Sequence, residues 1–322
     1  MTRKPLSECR ILVTPTSFGK ADPTLISRLQ AACAEVVPNA TGKPLSAGQL
    51  AGMLQNVDGY IAGLDEINDA ALALADKLQV ISRYGVGVDN VDLAAARKRG
   101  IVVTNTPGAN SVSVAELTVG LILSAIRHIP EAVAATRAGE WPRLSGVTLR
   151  NKTVGIVGYG AIGRCVAERL LPFGCRLLAF DPYAQGTGTE GTVMTSLDEL
   201  LRESDIVTLH APVTDDTRRM VNATFLRAMK PSAYLVNTAR GELIEEEALV
   251  RALQEGRLAG AAIDVFDREP LPKDSPLLAL PRLIATPHMA AHTDDAMNAM
   301  GEIAMSDCLS VLRGEEPAHP VS

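Results

Sequence analysis

Short runs of apolar residues recur along the chain, and each is followed by a stretch with helical spacing. In the N-terminal third these runs are 10–13, 36–37, 60–63, 80–83 and 101–104. Between them, 21–34 places Leu25, Ile26, Leu29 and Ala32 at helical spacing, and 68–76 and 91–99 are rich in Ala and Leu. Strands alternating with helices predict a parallel sheet covered by helices on both faces. From residue 151 the alternation resumes, with strands expected at 153–157, 176–180, 205–210, 234–237, 259–265 and 283–286. The intervening helices run from 164 to 171, over 196–201, up to Lys230-Pro231, and over 245–254. A polar, Gly-rich stretch at 185–191 and a Pro-rich one at 269–276 are expected loops. Six strands of this kind complete a doubly wound sheet. The last segment, 293–313, is helical with no strand after it, and is expected to pack back on the N-terminal unit.

Between the two halves, 111–127 predicts a long helix opened by Asn110 or Ser111, with Glu116 early in it. Its Val, Leu, Ile and Ala content leaves little polar surface on any face. Such a helix is buried between domains or at a subunit interface, and a two-fold homodimer is the expectation. Residues 139–150, with Trp141-Pro142, read as a connector.

Composition narrows the class. A chain of 322 residues can hold two cores, and 47 % apolar with 21 % charged residues is ordinary for a soluble protein. The net charge of -6 argues against a nucleic-acid surface, and 3 % aromatic residues supply no base-stacking platform. The five cysteines show no CxxC spacing, which suits reduced thiols in a cytoplasm and gives no metal site. Residues 1–10 are polar and lack a signal pattern, and 113–126 is too short to span a bilayer. A soluble cytoplasmic protein without membrane or nucleic-acid partners is expected.

The chemistry starts at Gly158-Tyr159-Gly160-Ala161-Ile162-Gly163, which follows an apolar strand and opens a helix. That is the context a dinucleotide fingerprint requires. Gly158 permits the tight turn, Gly160 lets a pyrophosphate approach the main chain, and Gly163 lets helix and strand pack closely. The helix N-terminus offers unpaired N–H groups to the phosphates. A second strand ends in Asp181, where a carboxylate accepts from ribose hydroxyls and repels a 2′-phosphate. The expected cofactor is NAD.

Three further polar residues follow late strands, the address at which open α/β sheets bind ligands: Arg240, Glu269 and His288. Hydride exchange at a carbinol carbon needs a group that exchanges the hydroxyl proton, and histidine titrates in the useful range. A carboxylate beside it holds the imidazole and favours its charged form. Arginine offers a fixed fork for a substrate carboxylate. Each has an ordinary alternative: a surface arginine, a solvated glutamate, a histidine bonded to backbone beside a proline. Likewise, Gly85-Val86-Gly87 reads alone as a structural turn and Asp264 as a helix cap.

Several stretches together settle these alternatives: Arg83-Tyr-Gly-Val-Gly-Val-Asp-Asn90, Ala109-Asn-Ser-Val-Ser-Val-Ala-Glu116, the 158–163 loop, His210-Ala-Pro212, Asn237-Thr-Ala-Arg-Gly241, Asp264-Val-Phe266 and Thr286-Pro-His288. In these, over residues 82–292, the chain resembles the D-isomer-specific 2-hydroxyacid dehydrogenases, phosphoglycerate dehydrogenase-like enzymes among them. The resemblance implies His288 as acid/base, Glu269 as its partner and Arg240 as substrate clamp. It implies that the Val86 and Gly87 amides, with Tyr84 or Arg83 beside them, hold the substrate carboxylate. Asp264 would bond the nicotinamide carboxamide, Thr208, His210, Ala211 and Pro212 would line the adenine side, and Ser113, Thr238 and Ala239 would touch the cofactor.

The fold implied is a Rossmann-type coenzyme domain at 106–288 and a smaller flavodoxin-like α/β substrate domain at 1–105 and 289–322, with a cleft that closes over a small 2-hydroxy or 2-oxo acid. The chain departs from the pattern in Ala290 and Ala291, where relatives often carry glycines. It ends without the regulatory domain of some phosphoglycerate dehydrogenases, so serine feedback is not expected. Glu269 stands where resembling formate dehydrogenases place glutamine, which favours hydroxy acids over formate and, less sharply, over phosphite. Glyoxylate and hydroxypyruvate reduction stay open, as does the corepressor role of some NADH-sensing relatives.

Overall fold

The computed structural model describes residues 4–184, 188 and 191–321. Most of the loop expected at 185–191 lies outside them. The chain divides into two compact units, one formed by 1–110 with 292–322 and the other by 111–291.

The first unit is a five-stranded parallel sheet of β1 (Arg10–Val13), β2 (Glu35–Pro38), β3 (Gly59–Ala62), β4 (Val80–Arg83) and β5 (Val102–Thr104), in the order β2-β1-β3-β4-β5. That is the flavodoxin-like order. Both β3 and β4 are buried along their whole length, as strands covered by helices on two faces must be. The final helix, Asp294–Arg313, packs on β3, β4 and β5, as the pattern at 293–313 predicts. Thr293 Oγ1 caps its first turn by accepting from the Ala296 amide (3.3 Å), and Gly314 (φ 90°) ends it. A short helix, Ala47–Met53, was not expected. Its signal is the box Ser46-Ala-Gly-Gln49, in which Gln49 Oε1 accepts from the Ser46 amide at 3.1 Å.

The second unit is a seven-stranded parallel sheet of β6 (Thr153–Val157), β7 (Arg176–Phe180), β8 (Thr192–Met194), β9 (Ile206–Leu209), β10 (Tyr234–Asn237), β11 (Gly260–Ile263) and β12 (Leu283–Ala285), in the order β12-β11-β10-β9-β6-β7-β8. One strand more is present than the six expected. The addition, β8, has three residues and pairs only with β7, so its apolar content is too small to show as a run. Alternation along the strands feeds two core layers. Leu177, Ala179, Val236 and Ala262 join one layer, while Leu178, Leu235, Ala261 and Ile263 join the other.

The long helix Ser111–Ile126 buries nine residues and packs on the helix Ala161–Leu170 and on β10 and β11. A second helix, Ile129–Arg137, follows it, unforeseen because none of its residues is buried. Among the described residues no single helix is long and apolar enough to cross a membrane.

Candidate active site

Sheet order puts the first chemistry at the switch point between β6 and β9, whose carboxyl ends carry the glycine loop and His210. Gly158 has φ 91°, and a Cβ there would lie 2.5 Å from the Ala211 nitrogen, so the two loops meet at van der Waals limits. A Cβ on Gly163 would press on the Gly158 carbonyl oxygen at 2.2 Å, which fixes the close approach of helix Ala161–Leu170 to β6. Gly160 is different. It is exposed, and nothing lies within 4 Å of where its Cβ would be. The main chain is bare where a pyrophosphate must approach, with the ten-residue helix and exposed Ala161 directly behind. Ile162 packs against the core. The three glycines thus fit a dinucleotide, each for its own steric reason.

Tyr159 is not open in the same way. Its ring is 1 % exposed with Arg164 stacked 4.7 Å from its centroid, and its amide donates to Asp181 Oδ2 at 2.8 Å. Asp181 Oδ1 accepts from the Tyr183 amide, also at 2.8 Å. The carboxylate at the end of β7 is therefore held in place by the loop it serves. On β9, Thr208 Oγ1 and His210 Nε2 are 2.9 Å apart. Among the described residues His210 Nδ1 is buried without a hydrogen-bond partner, and burial pushes this imidazole down to about 3. A neutral ring with an unmet polar atom lies beside the half-buried Ala211 and the exposed Pro212, whose carbonyl accepts from Thr217.

The second cluster lies at the ends of β10, β11 and β12. Asn237 is fully buried at the end of β10. Its carboxamide donates to the Arg240 carbonyl (2.8 Å) and accepts from the Ala239 amide (3.0 Å), shaping the turn that presents Arg240. Thr238 is anchored to Thr118 of the long helix by a 2.8 Å hydroxyl contact. Arg240 Nη1 donates to the Ala239 carbonyl at 2.7 Å. Gly241 has no room for a side chain, since a Cβ would overlap the Phe266 carbonyl carbon at 1.9 Å, so the Arg240 turn rests on the loop that carries Glu269.

Glu269 bridges outward and inward. Its Oε1 accepts from the Phe266 amide at 2.9 Å and its Oε2 meets His288 Nδ1 at 2.6 Å. Burial works against charge on Glu269, but the hydrogen bond and charge of His288, the Phe266 amide and the charge of Arg240 outweigh it. The carboxyl is held below its usual value. His288 has φ 49°, a left-handed conformation unusual for a non-glycine residue. The surrounding loop enforces it: the His288 amide donates to the Asp264 carbonyl (2.8 Å). The Asp264 carboxylate then accepts from Thr286 Oγ1 (2.6 Å) and the amides of Met289 (3.0 Å) and Ala290 (2.9 Å).

These contacts add a fastening role to two of the residues expected at the cofactor. Asp264 is fully buried and both its oxygens are engaged by the His288 loop, so it shapes that loop. Ser113 is 5 % exposed and its hydroxyl donates to the Ala290 carbonyl at 2.5 Å, which makes it a second fastening of the same loop. Neither role is visible in the sequence, because both depend on a turn that only the folded loop creates. In the first unit, Tyr84 is closely packed. Its ring meets Phe18 edge-on with centroids 6.0 Å apart, its hydroxyl proton goes to the Met297 carbonyl at 3.0 Å, and burial raises its pKa. Val86 and Gly87 are half-buried in the loop after β4.

Comparison with known proteins matches this arrangement. Residues 119–290 match the D-isomer specific 2-hydroxyacid dehydrogenase, NAD binding domain. The chain is 42 % identical over 302 residues to a glyoxylate reductase of Thermofilum pendens, covering 91 % of this chain and 89 % of that one. The chain belongs to the D-isomer-specific 2-hydroxyacid dehydrogenase family. Another member, a D-3-phosphoglycerate dehydrogenase of Methanocaldococcus jannaschii, is 47 % identical over 248 residues, which are 75 % of this chain and 47 % of that one. The alignment thus spans about half the length of that relative. A solved family structure, a D-lactate dehydrogenase from Aquifex aeolicus complexed with NAD and lactic acid, superposes with a TM-score of 0.82 at 29 % identity over 95 % of this chain and 96 % of that one. The glycine loop, His210, Arg240, Glu269 and His288 all fall inside the segment matched as the family's NAD-binding domain.

Proposed function

We propose that the protein is an NAD-dependent D-2-hydroxyacid dehydrogenase that interconverts a small 2-hydroxy acid and its 2-oxo acid. The observation that carries this reading is the 2.6 Å pair of His288 Nδ1 and Glu269 Oε2, set beside the Arg240 turn in the unit that holds the glycine loop. Bound NADH supplies the hydride and NAD takes it back. Because Glu269 occupies Nδ1, the proton that leaves the imidazolium is the one on Nε2. In the reductive direction His288 Nε2–H gives it to the substrate oxygen, and in the oxidative direction neutral Nε2 receives it. Arg240 holds the substrate carboxylate and oxygen with a planar fork. In the first unit the amides of Val86 and Gly87 receive the carboxylate. Turnover of a panel of 2-oxo acids with NADH, followed by nicotinamide absorbance, tests the reading, and no turnover of any of them overturns it.

NAD is preferred over NADP. A 2′-phosphate would sit against Asp181, and Pro182 and Tyr183 bring no cation to pair it. Like charges in contact cost on the order of 1–3 kcal/mol, about 5- to 150-fold in affinity. Equal kcat/KM with NADPH is the result that removes Asp181 from this role.

We also propose a cytoplasmic homodimer. The five cysteines are unpaired, which fits a reducing compartment. On the second unit Val112 (52 % exposed), Ile129 (45 %), Val133 (43 %), Trp141 (83 %) and Leu144 (46 %) leave apolar surface uncovered along the long helix, its successor and the connector. A two-fold, self-complementary contact is the usual cover for such a surface. Light scattering at micromolar concentration is expected to give about twice the 34.1 kDa chain mass, and a monomer mass removes this proposal.

A further inference from the structure

The loop Gly85-Val86-Gly87 is held by its carbonyls. The Gly85 carbonyl accepts from the Thr106 amide at 3.1 Å, the Val86 carbonyl from Asn105 Nδ2 at 2.7 Å, and the Gly87 carbonyl from Arg83 Nε at 3.1 Å. Within a trans peptide the C=O of one residue and the N–H of the next point in opposite directions. Three successive carbonyls fixed in this way aim the amides of Val86, Gly87 and Val88 away from their anchors. Among the described residues those three amides have no hydrogen-bond acceptor, and all three residues are partly exposed. Successive N–H groups turned outward form a concave anion site of the nest type.

The anchors are themselves fixed. Arg83 is 3 % exposed and also donates from Nη1 to the carbonyls of Ala62 (2.7 Å) and Gly63. Its guanidinium therefore serves main-chain carbonyls of two loops. Gly85 has φ 153°, and a Cβ on it would approach Arg83 Nη2 at 3.3 Å. The Asn105 amide donates to the His319 carbonyl at 3.2 Å, and Asp307 holds the same tail through the Ala318 amide (2.9 Å) and His319 Nδ1 (3.0 Å).

We propose that Asn105 and Arg83 are positioning residues for the substrate carboxylate: they touch no substrate, but orient the amides that do. The proposal rests on the reading that this loop receives the carboxylate of a 2-oxo acid. Asn105 is the cleaner probe because it is half-buried, so its replacement leaves the core of the unit alone. Asn105→Asp keeps shape but turns a donor into an acceptor facing the Val86 carbonyl. Asn105→Ala removes the anchor without repulsion.

The experiment compares wild type with both variants in three measurements: KM and kcat for the best 2-oxo acid found for the wild type, Ki of oxamate as a carboxylate probe, and Kd of NADH. Both variants are expected to raise KM and oxamate Ki by about tenfold or more, the scale of one charge-assisted hydrogen bond. Asn105→Asp should exceed Asn105→Ala, kcat should fall less than KM rises, and NADH Kd should stay within about twofold. Intact NADH binding shows that the variant is folded. Variants that bind NADH normally and keep wild-type KM and Ki overturn the positioning role while leaving the dehydrogenase reading in place. A wild type that neither reduces 2-oxo acids nor binds oxamate overturns both.

Discussion

Replacing His288 with alanine is expected to lower kcat about 10²–10⁴-fold at every pH, the range for removal of a group that exchanges a proton in the transition state. The size follows from how completely the structure commits this ring. Its amide is tied to the Asp264 carbonyl, its Nδ1 to Glu269, and its backbone is held in a left-handed conformation by a loop with no slack. Glu269 is not placed to substitute for Nε2, since it is engaged on both oxygens. NADH affinity should hardly change, because the glycine loop and Asp181 belong to other strand ends. A kcat within tenfold of wild type would mean that the proton travels by another route.

Glu269→Gln should give the second-largest loss, and its pH dependence is the informative part. The amide can still accept from Nδ1 but brings no charge to the ring, so reductive kcat/KM is expected to fall, by less than in the His288 variant, while NADH affinity holds. In the native protein the acid side is set by Glu269 itself. Its carboxyl is held below the ordinary value of 4.5, so the pair's contribution to stability is fully present above that value and fades only as pH falls through the lower, folded one. The variant should lack this acid-side dependence. A stability profile that superposes on the wild type below the ordinary carboxylate value would show that Glu269 only shapes the loop.

Much of this was legible in the sequence, for reasons that differ by element. Runs such as 154–157 and 234–236 lie in strands covered on both faces, so burial wrote them as apolar stretches, and parallel sheets covered by helices followed from the alternation. The glycine loop was legible because each glycine answers a separate steric demand. Arg240, Glu269 and His288 stand out because strand ends are where such sheets bind ligands. What was not legible depends on partners distant in sequence. Asp264 and Ser113 also fasten the 286–290 loop, and nothing local announces that this loop curls back over them. The anchors Asn105 and Asn237 were missed because an asparagine before a turn has the same appearance whether it holds a loop or merely begins one. Strand β8 and helix Ile129–Arg137 are short or wholly exposed, so neither leaves an apolar period to read.

The Asp264 carboxylate has a consequence for heating. His288 follows β12, a three-residue strand at the rim of its sheet with no fully buried residue. Rims of this kind ordinarily fray first as temperature rises, well before the interior strands give way. Here the outgoing loop is fastened by three hydrogen bonds to a side chain at the end of β11, one strand further in. The loop cannot come away without stripping a buried charge of its donors, a cost larger than the rim's own pairing. Warming should therefore leave the His288 loop seated until the sheet itself melts, and inactivation coincides with global unfolding instead of preceding it.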